Sequence, residues 1–98
     1  MKPHVFQRQA DDEYAEGVRD YAEINPALGQ RFYFEVERCL REICLAPQRH
    51  RLFAQDARRF LCKDFPYAIV YRDQPERVVI VAVMHLKRAP GYWLHRLD

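Results

Sequence analysis

The chain has 98 residues, 49% hydrophobic and 13% aromatic, with a formal net charge of +2. That length supports one core and not two, and no stretch is low enough in complexity to be a linker, so residues 1–98 are expected to form a single domain. The opening M-K-P-H-V-F-Q-R-Q has no apolar run of signal-peptide length and Val78–Met84 is too short to span a bilayer, which points to a cytoplasmic protein without membrane contact.

Val5 and Phe6 mark His4–Arg8 as a first short strand. A helix follows, with Asp11 or Asp12 expected as its cap, Tyr14, Val18, Tyr21 and Ala22 on one face, and an end near Asn25 because Pro26 disfavours helical geometry in the residue before it. Asn25 then serves as N-cap of a second helix with Pro26 at its first position. Leu28, Phe32, Val36, Cys39, Leu40 and Ile43 form its apolar stripe, and it should run to about Ala46, before Pro47. Two helices so closely joined are expected to form an antiparallel hairpin.

Beyond Pro47 the period changes to that of strands. Arg58–Lys63, Phe65–Arg72 and Val78–His85 are the three segments, the last two joined by the polar loop D-Q-P-E-R. Val78–Met84 is apolar at odd and even positions alike and should be a central strand. In the preceding strand, Phe65, Tyr67, Ile69 and Tyr71 share one face, and Pro66, Ala68, Val70 and Arg72 the other. The order β-α-α-β-β-β predicts an α+β domain, a helical hairpin on one face of a small, mainly antiparallel sheet.

The second-helix run G-Q-R-F-Y-F-E-V-E-R-C-L, the turn I-C-L-A-P, and the strand segments R-R-F-L-C-K-D-F-P-Y-A-I-V-Y-R and V-V-I-V-A-V-M-H-L-K-R-A-P-G-Y-W, taken in this order, resemble the RelE/ParE superfamily of type II toxin–antitoxin systems, ParE-like in detail. The resemblance covers most of the chain. It implies a growth-inhibiting toxin neutralised by a cognate antitoxin, and two target classes: ParE-like members poison DNA gyrase, a protein target, while RelE-like members cut mRNA on the ribosome and are enzymes. Loss of toxicity, leaving an antitoxin-binding module, is a third reading.

Cleavage of RNA without a metal needs a base, an acid and cations around the phosphate. Residues 1–48 hold six Lys and Arg against nine Asp and Glu, a net of −3, and residues 49–98 hold ten against five, a net of +5. Cations are therefore abundant in the second half, and an acid/base pair is not evident. For a nuclease the candidates are Arg59, Arg72, His85 and Tyr92. His85 ends the last strand and titrates near neutrality in its ordinary state, but the commoner role of such a residue is a partly buried one bonded to nearby backbone.

For contact with a target or antitoxin the candidates are Arg58, Lys63, Lys87, Arg88 and Trp93, together with Phe34 and Arg38 on the outer side of the second helix. Arg58 and Arg59 must point to opposite sheet faces; one joins a cationic surface, and the other is solvated or paired with a helix carboxylate. Pro90-Gly91 turns the chain so that Tyr92 and Trp93 can fold back over a sheet edge or the end of the core. Phe34 and Leu45, set beside Arg38 and Arg41, suit contact with an antitoxin or with a second toxin copy, giving a homodimer or a toxin–antitoxin hetero-oligomer.

Cys39, Cys44 and Cys62 are odd in number and lack C-x-x-C spacing, which reads as small buried hydrophobes rather than a disulfide framework or a zinc site. With three glycines and no serine or threonine, there is neither a glycine-rich phosphate loop nor a hydroxyl nucleophile, and no cofactor or metal is expected.

Overall fold

In the computed structural model, which describes residues 1–98, the first strand β1 (His4–Phe6) leads directly into α1 (Arg8–Ile24), and α2 (Pro26–Leu45) follows after the single residue Asn25. The start of α1 corrects the expectation of an aspartate cap. Asp11 N–H already bonds Gln7 O at 3.0 Å, while Gln7 N–H is held by Ile80 O at 2.9 Å and the Gln7 amide donates to Arg96 O. Tertiary anchoring at residue 7 thus begins the helix one turn before Asp11 and Asp12. The second helix starts as its sequence dictates, with Asn25 Oδ1 accepting from Ala27 N–H at 2.9 Å and Pro26 in the first turn.

The helices fold back on each other where Gly29 meets Ala22. A Cβ on Gly29 would lie 2.7 Å from Ala22 Cβ and 3.0 Å from its backbone, so the close approach requires glycine. Tyr14 locks the pair further along by donating to Glu37 at 2.8 Å.

Four further strands, β2 (Leu52–Ala54), β3 (Ala57–Leu61), β4 (Tyr67–Asp73) and β5 (Val78–His85), complete a five-stranded sheet in the order β1-β5-β4-β3-β2. All neighbours are antiparallel except β1 with β5. The order is therefore β-α-α-β-β-β-β, one strand more than the sequence suggested. The added strand is three residues long and turns into β3 through Gln55, whose φ of 50° is left-handed without the glycine that would signal it.

As expected, β5 is nearly all buried; it lies between β1 and β4. Phe65, Tyr67, Ile69 and Tyr71 join Phe32, Val36, Leu40 and Ile43 in the core between helices and sheet. Ala68 and Val70 face the other way, into a smaller core with Ala57, Val81, Ala82, Met84, Trp93 and Leu97. The tail after β5 supplies that second cover. Trp93 is fully buried beneath it, and a short 3₁₀ turn at Leu94–Leu97 closes the layer. Trp93 thus covers a sheet face and offers no surface to a partner, and Tyr92 packs against the same layer beside the sheet edge.

β1 pairs with β5 only from Val78 to Ile80, which leaves the second half of β5 as an open edge. Side chains occupy it. Val83 N–H donates to Glu13 at 3.1 Å, and Val81 O accepts from Arg96 at 3.0 Å. The same Glu13 carboxylate accepts from Tyr92 at 2.7 Å and from both terminal nitrogens of Arg96 at 3.0 Å, so one residue of α1 ties the tail to the sheet edge. Such charge-assisted bonds on a largely shielded carboxylate close an edge that would otherwise be free to pair.

Candidate functional site

The second helix presents a basic and aromatic surface to solvent. Phe34 is 64% exposed, and it lies with Arg31, Arg38, Arg41 and Lys63 around an open depression that Asp64 and Phe65 complete. Helical spacing places Arg31, Phe34, Arg38 and Arg41 along one side, while the loop between β3 and β4 delivers Lys63. Arg38 is the fixed member. It grips Glu35 at 2.7 Å and also bonds Glu42, so its charge is largely spent within the helix. Arg31, Arg41 and Lys63 are exposed and make no ion pair; they carry the surface's free positive charge.

Beneath this surface lies a grouping that sequence spacing did not reveal. Glu35 accepts from Arg38 and, at 2.6 Å, from Lys63 N–H; the Arg38 bonds outweigh burial and hold its carboxyl below the usual range. The Cys39 thiol lies 3.4 Å from Glu35 Oε2 and 3.7 Å from Cys62 Sγ. Because 23 residues separate the cysteines, no local motif could have shown this; only the packing of α2 against the end of β3 brings them together. All three thiols are free, Cys39 and Cys44 buried as the sequence suggested.

A second cationic place follows β5. Lys87 is exposed and free of ion pairs, while Arg88 stacks 3.7 Å over the Tyr92 ring and reaches Glu13 at 3.4 Å. His85 accepts at Nδ1 from Lys87 N–H at 3.0 Å and packs edge-on against Tyr67, the half-buried, backbone-bonded arrangement expected of it. The phenol of Tyr92 is pushed well above its ordinary range by burial and by the bond to Glu13.

The remaining candidates lie elsewhere. Arg59 and Arg72 share the sheet face that carries Trp93, Arg59 stacked 4.2 Å over Phe53 and Arg72 paired with Asp56 at 2.9 Å and donating to Leu97 O. Arg58 points to the helix side, as alternation requires, but donates to the carbonyls of Gln48 and His50, so the helix carboxylate foreseen as a partner is replaced by backbone. His85 is on that helix side as well, since its ring contacts Tyr67. The four nuclease candidates therefore do not converge: Arg59 and Arg72 stand across the sheet from His85, and the Tyr92 hydroxyl is committed to Glu13.

The sequence from residue 5 to residue 90 matches the family model described as the ParE toxin of the type II toxin–antitoxin system parDE. The chain belongs to the ParE toxin family. A structure titled "Chromosomal ParDE TA system from P. aeruginosa" superposes on this ParE-family chain with a TM-score of 0.77 at 11% identity, covering 89% of this chain and 98% of that one. At that identity the likeness is one of fold, and it agrees with the helices-on-sheet architecture described above. No curated protein matches the chain. No helix of this family member is long and apolar enough to cross a membrane.

Proposed function

We propose that this ParE-family chain is the toxin of a type II toxin–antitoxin module, acting in the cytoplasm by binding a protein target such as DNA gyrase and neutralised by a cognate antitoxin. The observation that carries the proposal is the dispersal of the groups that RNA cleavage would need. Arg59 and Arg72 are held by Phe53 and by Asp56 on one sheet face, His85 is bonded to its own loop on the other, and the Tyr92 hydroxyl donates to Glu13. A nuclease requires acid, base and cations around one phosphate, and contact with a protein requires only an exposed, charged and partly apolar surface.

Two such surfaces are available: Phe34 with Arg31, Arg41 and Lys63 on α2, and Lys87 with Arg88 after β5. An antitoxin carrying acidic residues complements both, and its charges set association rate and specificity. The test uses purified chain in two assays run in parallel. Gyrase with supercoiled DNA should accumulate cleaved DNA or lose supercoiling activity, and ribosomes programmed with mRNA should yield intact message at every toxin concentration. Cleaved message with unaffected gyrase would reverse the assignment.

A further inference from the structure

We propose that Glu35, Cys39 and Cys62 form a binding site for a thiophilic divalent cation of the zinc class, set beneath the α2 surface. The site is independent of the toxin's target. It rests on geometry: the three ligand atoms lie within 4.8 Å of one another, with Sγ–Sγ 3.7 Å and Cys39 Sγ to Glu35 Oε2 3.4 Å. Zinc–sulfur and zinc–oxygen bonds of about 2.3 and about 2.1 Å put the edges of a tetrahedron at about 3.8 Å for S–S and about 3.6 Å for S–O. Two edges are thus already at coordination length. The third, between Cys62 and Glu35, lies within 4.8 Å, and Cys62 is only partly buried.

The surroundings suit a cation as well. Lys63 N–H and the Arg38 guanidinium orient the Glu35 carboxylate, as outer partners commonly do for metal-binding carboxylates. Arg38 Nη2 gives up Oε2 on binding but keeps its Nε bond to Oε1 at 2.8 Å and its partner Glu42. Two thiolates and a carboxylate carry −3 against +2 from a divalent cation, and Arg38, which Glu35 shares with Glu42, offsets part of the remainder. Because thiolates are the ligands, binding releases thiol protons and affinity falls as pH falls.

The reduced full-length chain, stripped of metal, is titrated with zinc against a chromophoric chelator and, separately, with cadmium while thiolate-to-metal absorption is followed. The expected result is one equivalent bound with the intensity of two thiolates. Cys62→Ser, at a partly buried position, should halve that intensity and weaken binding by more than the about 10- to 100-fold that loss of an outer partner costs. Cys44→Ser, which removes a buried thiol beside His4, should leave binding unchanged. Absence of a one-to-one complex, survival of binding in Cys62→Ser, or a reduced protein that forms a Cys39–Cys62 disulfide under peroxide yet takes up no zinc would overturn the proposal.

Discussion

Replacing Glu13 with alanine tests how the tail is attached to the sheet. The Glu13 side chain is 11% exposed and its partner Arg96 is 8% exposed, so the pair is largely shielded from solvent. The substitution leaves the Arg96 guanidinium with one carbonyl, Val81 O, as acceptor, strips Val83 N–H of its partner, and frees the Tyr92 hydroxyl. Breaking one side of a buried pair costs about 3–5 kcal/mol, and an unpaired amide about 1–3 kcal/mol. These overlap, since the carboxylate's own desolvation is recovered, and a loss of about 3–4 kcal/mol is expected, a large share of the roughly 5–15 kcal/mol available to a domain of this kind. The single tryptophan, Trp93, is fully buried under the same tail and reports its release directly. Urea unfolding followed by Trp93 emission should show an earlier midpoint and, in the native baseline, a red shift. A loss below about 1 kcal/mol with unchanged emission would refute the role given to Glu13, given the size of a buried-pair defect.

Other substitutions probe separate links. Gly29→Ala drives a Cβ into the Ala22 backbone and should destabilise the hairpin by about 1–3 kcal/mol, measured by thermal unfolding. Asn25→Ala removes the cap on α2 at a cost of about 1 kcal/mol in the same assay. Acid should also weaken the fold through Glu35, whose carboxyl is held low chiefly by Arg38: that stability is complete above the ordinary value of about 4.3 and is lost as pH falls through the lower folded value, so Glu35→Gln should flatten the acid limb of a stability–pH curve. Charge reversal at Lys87 and Arg88 should weaken antitoxin binding, with slower association and a reduced salt dependence in surface-binding kinetics; unchanged affinity would place the contact elsewhere.

The parts of the fold written in local chemistry were legible in the sequence. The Asn25-Pro26 start of α2, the apolar stripe from Phe32 to Ile43 and the two-sided burial of Val78–Met84 each follow from caps and periods that a short window contains. Features fixed by distant partners were not. α1 begins at Arg8 because β5 and the tail hold Gln7, and β2 exists because β3 offers it an edge. The smaller core depends on a tail whose apolar residues, Trp93 and Leu97, have no strand or helix period to announce them. The site divides in the same way. Phe34, Arg38 and Arg41 could be placed on one outward helix side, whereas the union of Lys63 with them, the meeting of Cys39 with Cys62, and the split of Arg59 from His85 are matters of tertiary packing.

Induced expression without an antitoxin, followed by separate pulse-labelling of new DNA and new protein, addresses the target most directly. A protein that poisons gyrase stops DNA synthesis first while translation continues. An early halt of translation with DNA synthesis continuing would contradict the proposed function and return Arg59, Arg72 and His85 to consideration as catalytic groups.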